Sequence, residues 1–168
     1  TNMASINYRP DPARPPTDFH EWFYDFDFYL ATNYVITETG SGTRAIAQAK
    51  GGILVITNAG ADDDANFLQL RDVASGQVAE HWKHVAAKSL YFGVRFKVND
   101  ATQSDLAIGL QITDTSPLDV SDGIFFFKAD GSAVLTARVE KDDAAATGNI
   151  LTMANDTYVD VAIVYEGR

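Results

Sequence analysis

The sequence contains no cysteine, which excludes a disulfide framework, a zinc–thiolate site and a cysteine nucleophile. Basic residues are few: 13 Lys and Arg stand against 23 Asp and Glu, a formal net charge of -10 over 168 residues. Duplex nucleic acid binds chiefly by having its phosphates neutralised by Lys and Arg, so an acidic chain is a poor partner for it. No apolar run reaches the length of a bilayer span, and the first residues lack the charged-then-apolar pattern of a secretory signal. Neither nucleic acid nor membrane is therefore expected as a partner. No Gly-x-Ser-x-Gly elbow, phosphate loop or His-Glu-x-x-His motif occurs. After residue 16 the only proline is Pro117.

What is present is apolar and strongly aromatic, 46% and 11% of residues respectively, with ten Phe and seven Tyr. At this length the chain fits one domain able to bury a core without metals or disulfides. Its pattern is that of strands. Leu90, Phe92, Val94, Phe96 and Val98 alternate with Tyr91, Gly93, Arg95 and Lys97, the period of a strand with one buried face. After the polar run 99–105 the alternation resumes in Leu106, Ile108, Leu110 and Ile112, with Ala107, Gly109 and Gln111 opposite. Those small residues leave the second face open to close approach by another backbone, side chain or ligand. A third strand is Ile124–Phe127, and the Asp130-Gly131 turn leads to a fourth at Ala133–Val139. Asp-Gly between apolar runs signals a hairpin, and connections this short require antiparallel pairing.

Further strands are expected over 33–38, 53–57, 67–70, 78–85 and 158–165, with 53–57 buried on both faces. Residues 19–29 also read as a strand, gathering Trp22, Tyr24, Phe26 and Phe28 on one face and Asp25 and Asp27 on the other. Residues 141–148 read as an acidic, alanine-rich loop. The total is nine or ten short strands with little helix, an all-β antiparallel β-sandwich or jelly roll. The domain expected is 18–168. The chain stops soon after a strongly apolar strand, so the sandwich is expected to need further C-terminal strands.

Residues 1–17 form a separate expectation. Pro10, Pro12, Pro15 and Pro16 lie beside Arg9 and Arg14, and proline fixes φ and removes the amide donor, favouring an extended N-terminal arm. Tyr8, Arg9 and Arg14 on that arm, with Trp22 and Trp82, are the candidate partner-interface residues. Exposed aromatics, among them Tyr24 and Tyr91, suit either a sugar platform or a subunit interface.

Other constellations carry less. Asp62-Asp63-Asp64 lacks the spacing of a calcium loop and reads as a solvated turn. His81 and His84 fall on opposite faces of a strand. Glycan hydrolysis needs two opposed carboxylates, roughly 5 to 5.5 Å apart for retention; Asp25 with Asp27 lacks a flanking Glu, and Arg138 with Glu140 reads as an ion pair. Asn155-Asp156-Thr157 is a lone glycosylation sequon. No catalytic, cofactor-binding or metal-ligating residue is assigned, and no enzyme activity is expected.

Several stretches resemble a group of tailed-phage virion proteins: Glu38–Arg44, Gly51–Asn58, Asp62–Asp64, the strand-turn-strand runs 98–115 and 121–133, Glu140-Lys141-Asp142, and Met153–Val159. The resemblance covers most of the chain after residue 33. It implies a concanavalin-like jelly roll and a capsid decoration or cement protein on the virion exterior. The implied partners are the major capsid protein and further copies of the chain, a homo-oligomer with three copies at a threefold position favoured. The competing classes are a carbohydrate-binding module used in host adsorption and, third, a concanavalin-like glycan hydrolase.

Overall fold

The computed structural model describes residues 23–49, 51–61, 63–70, 85 and 87–166. Among them ten strands run in chain order: β1 (Tyr34–Thr39), β2 (Thr43–Ala47), β3 (Ile53–Thr57), β4 (Ala65–Leu70), β5 (Leu90–Phe96), β6 (Leu106–Gln111), β7 (Gly123–Lys128), β8 (Val134–Lys141), β9 (Ala144–Thr152) and β10 (Val159–Tyr165). The fold is all-β with antiparallel sheets. The strand expected over 78–85 lies outside the described residues apart from Val85, which is in no strand.

The chain divides into two units. In one, the described residues are 23–29, 43–49 and 51–56; they hold β2 and all of β3 but Thr57, and these two strands pair. The strand expected over 19–29 does not form in its described part. Phe26 takes φ 57, which breaks the alternation, and the Asp27 amide donates to Asp25 Oδ1 at 3.4 Å. Tyr24 stacks edge-on to Phe26 and Phe28 at 4.8 and 5.5 Å, and its hydroxyl donates to the Phe28 carbonyl. Local aromatic packing thus replaces a ladder. Gly52, at φ +40, brings its backbone against the Phe26 carbonyl, where a Cβ would collide. The expectation that 53–57 is buried on both faces also fails, with Val55 41% and Ile56 45% exposed.

The other unit comprises residues 30–42 and 57 onward. Its largest sheet has the order β6-β7-β8-β9, joined by antiparallel ladders. β5 and β10 pair as a separate antiparallel ribbon, in register from Tyr165↔Leu90 to Val159↔Phe96. Consecutive strands β5 and β6 therefore belong to different sheets. Alternation explains how they meet: Phe92, Val94 and Phe96 of β5, with Val159, Val161 and Ile163 of β10, pack on the buried cluster Ala101, Phe126, Leu135 and Met153. The Phe92 and Phe126 rings lie 6.4 Å apart. Full burial of Phe126 and Leu135 contributes about 1.5–3 kcal/mol each.

β7 buries side chains on both faces, with Phe126 in this core and Phe125 equally buried on the reverse. Opposite Phe125 stands Gly109, where a Cβ would come within 2.6 Å of Phe125 Cα. The close approach anticipated for the small residues of β6 is thus made by the neighbouring strand. The loop expected over 141–148 is instead a two-residue turn followed by β9. Asp142 and Asp143 take φ 50 and 62, the left-handed pair of a tight hairpin, and Lys141 pairs with Ala144. Alanine and glycine disfavour strand intrinsically, but the β8 ladder overrides that preference.

Candidate functional site

The outward face of the β5–β10 ribbon carries the residues left over once the alternating apolar set is buried. Tyr91 stands directly opposite Val164, Gly93 opposite Ala162, and Arg95 opposite Asp160. Tyr91 is 59% and Val164 66% exposed. The Tyr91 side chain lies along the sheet over Gly93, for a Cβ there would fall 2.7 Å from the phenol oxygen. The result is a low apolar platform of Tyr91, Val164, Gly93 and Ala162.

One end of that platform is charged. The Arg95 guanidinium lies 4.7 Å and Lys97 Nζ 5.5 Å from the centre of the Tyr158 ring. Arg95 Nε is 4.0 Å from Asp160, and Lys97 Nζ is 3.4 Å from Asp156. Exposed pairs of this kind add little stability, but they leave the cations oriented on the surface. An apolar patch bordered by polar groups is the anatomy of a protein contact.

The reverse face of the four-stranded sheet holds a different arrangement. Arg138 and Glu140 share that face of β8 and pair at 3.0 Å, with side chains 19% and 4% exposed, as the same-face spacing anticipates. The guanidinium also lies 4.9 Å from the Phe127 ring and 5.9 Å from Phe125. Arg138 Nε and Glu140 Oε2 are buried without a hydrogen-bond partner. Nearby, a shallow depression of about 290 Å³ is lined by Phe127, Ala129, Ser132, Val134, Thr136 and Asn149. The Thr136 hydroxyl is already committed, donating to the Phe127 carbonyl at 2.9 Å.

Two polar groups of the weaker constellations, the acidic turn and the sequon, have structural work. Asp64 accepts from the Ala61 amide through Oδ2 at 2.8 Å, and its carbonyl accepts from Asn58 Nδ2 at 3.0 Å. Asn155 Oδ1 accepts from the Ala101 amide at 2.7 Å, while the Asp156 amide donates to the Val98 carbonyl at 2.8 Å. The turn after β9 is thereby fastened to the turn after β5. No group of three His, Cys, Asp or Glu able to hold a metal ion occurs among the described residues.

Tyr8, Arg9, Arg14, Trp22 and Trp82 all lie outside the described residues, as do Asp62, His81 and His84. Of the aromatics considered as contact residues, Tyr91 falls on the ribbon platform and Tyr24 belongs to the other unit. Val164 was not singled out from sequence. Its position in the β10 alternation was the available signal, but its alignment with Tyr91 depends on a long-range register. Comparison with family models, curated proteins and solved structures finds no match to this chain.

Proposed function

We propose that this chain is a structural protein that works through protein–protein contact, as a decoration or cement subunit on the capsid exterior of a tailed phage. The observation that carries the contact reading is the Tyr91–Val164 pair, two large apolar side chains exposed side by side on an ordered sheet face. A paired strand ribbon presents such a platform with little further entropy to lose, which favours association. The virion setting and the concanavalin-like jelly roll rest on the sequence resemblance, with the major capsid protein as the partner surface. The acidic charge keeps decorated particles mutually repelling. No catalytic step belongs to this reading.

A second reading, a carbohydrate-binding module, draws on the depression beside Phe127, where Ser132 and Asn149 supply polar groups next to an aromatic ring. The two readings separate experimentally. Purified protein added to shells that lack it should bind saturably and protect them from heat or low salt, and deletion of residues 1–16 should weaken that binding. Failure to bind shells, together with retention on a glycan array, would support the carbohydrate reading instead.

A further inference from the structure

The edge strand β9 points to a partner of another kind. It is the outer strand of the four-stranded sheet, paired on one side with β8. Among the described residues no strand pairs with its other side. Every residue from Ala144 to Ile150 is exposed. Such an edge presents unpaired amide and carbonyl groups and is a template for another strand.

Edges are ordinarily blunted by charge, by proline or by a bulge. The nine residues of β9 include no charged residue and no proline, although 21% of the chain is charged. One bulge interrupts the β8–β9 ladder between Leu135 and Thr136. It leaves Ala144–Asn149 as a regular stretch with an unprotected outer edge.

We infer that β9 pairs antiparallel with β9 of a second copy of this chain, making a twofold dimer with a continuous sheet across the two subunits. A net charge of -10 on each copy opposes association in general, but β9 carries no charge, so two copies meeting along it set no like charges against each other within the ladder. The small side chains of Ala144, Ala145, Ala146 and Gly148 supply no pocket with which to specify a foreign sequence. An antiparallel edge is self-complementary, because a twofold axis through it sets each donor against an acceptor of the identical strand. β6, the other outer strand, is only partly exposed along its length. The inference goes beyond the shell-binding reading and stands without it. It gives twofold pairs, unlike the threefold arrangement favoured from sequence.

The test uses sedimentation of the full chain over a range of concentrations, with Ala146→Lys, Ala146→Glu and a platform variant, Val164→Glu. The wild type should sediment as a monomer–dimer equilibrium. Each Ala146 variant sets like charges near the twofold axis and should weaken the dimer about tenfold or more. Mixing the two should restore a heterodimer, because Lys then faces Glu. Val164→Glu should dimerise like the wild type, so loss of shell binding in that variant is separable from loss of the edge contact. Unchanged circular dichroism in the Ala146 variants would establish that they fold. A wild type that is monomeric throughout, a trimer, an undisturbed dimer in both Ala146 variants, or no recovery on mixing would each overturn the inference.

Discussion

Tyr91 and Val164 face each other across the β5–β10 ladder, and both remain more than half exposed while their strand neighbours Phe92 and Ile163 pack into the core. The alternation that builds the core therefore also builds the platform. Gly93 sets its relief, since the Tyr91 phenol lies where a Cβ would stand. Gly93→Val should lift the ring at a stability cost within about 1 kcal/mol, because the far end of an exposed side chain can swing aside. Shell binding should fall much further than stability, which paired measurements of melting temperature and binding would separate.

The Arg138–Glu140 pair is a stability element. Arg138→Ala leaves the 4%-exposed Glu140 carboxylate without its cation and should cost about 3–5 kcal/mol in urea unfolding. Replacing both residues, as Arg138→Met with Glu140→Leu, should cost much less, since no buried charge is then stranded. A single variant as stable as the wild type would contradict this role.

Lys128 is fully buried at the end of β7, where Nζ donates to the Ala129 carbonyl at 3.2 Å. Burial pulls its pKa below the usual lysine value, against the opposing pull of Asp105, Asp130 and Asp100. Between the lowered folded pKa and the ordinary value of 10.5, the unfolded chain holds the proton more tightly. Stability must therefore rise with pH through that window. Lys128→Met should be more stable than the wild type near neutrality by on the order of 1 kcal/mol. Its advantage should shrink as pH approaches 10.5, as read from urea curves at several pH values.

Asp122 and Lys141 are linked to pH in opposite senses, Asp122 with the same sign as Lys128 and Lys141 with the reverse. The Lys141 hydrogen bond, then that from Ser121, holds the Asp122 carboxyl below its ordinary value, and Asp122 followed by Asp142 raises Lys141. The Asp122 contribution is present above the ordinary carboxylate pKa and is lost as pH falls through the folded value. The Lys141 contribution is present below 10.5 and is lost as pH rises through its folded value. Asp122→Asn should flatten both limbs of the stability–pH profile, leaving the neutral region least changed in slope.

Asn155 fastens two turns through the amide of Ala101, a residue 3% exposed. Asn155→Ala strands that buried donor and should cost about 1–3 kcal/mol. Asn155→Asp preserves the acceptor and should retain most of the stability, a difference that thermal melts would resolve.

Much of the strand order was legible because β5, β8 and β10 must each hide every second side chain, and because β7 is apolar on both faces. Asp130-Gly131 marked its hairpin correctly. β9 escaped notice because alanine, threonine and glycine carry no alternation; only the left-handed Asp142-Asp143 turn and the β8 ladder make it a strand. Residues 23–29, the described part of the strand expected over 19–29, misled in the other direction, since alternating aromatics satisfied the strand pattern while stacking on one another locally. The ion pair at Arg138 and Glu140 followed from same-strand spacing alone. The platform did not, because a partner five strands further along the chain cannot be aligned with Tyr91 from periodicity.

The most direct measurement is a binding isotherm of the wild type and of Tyr91→Glu with Val164→Glu on capsid shells lacking the protein. The account predicts saturable wild-type binding and, for a folded double variant, affinity at least about a hundredfold weaker, as expected when charge replaces a central apolar contact. Equal affinity of the two proteins would contradict the platform as the contact surface, and no binding by the wild type would contradict the shell role itself.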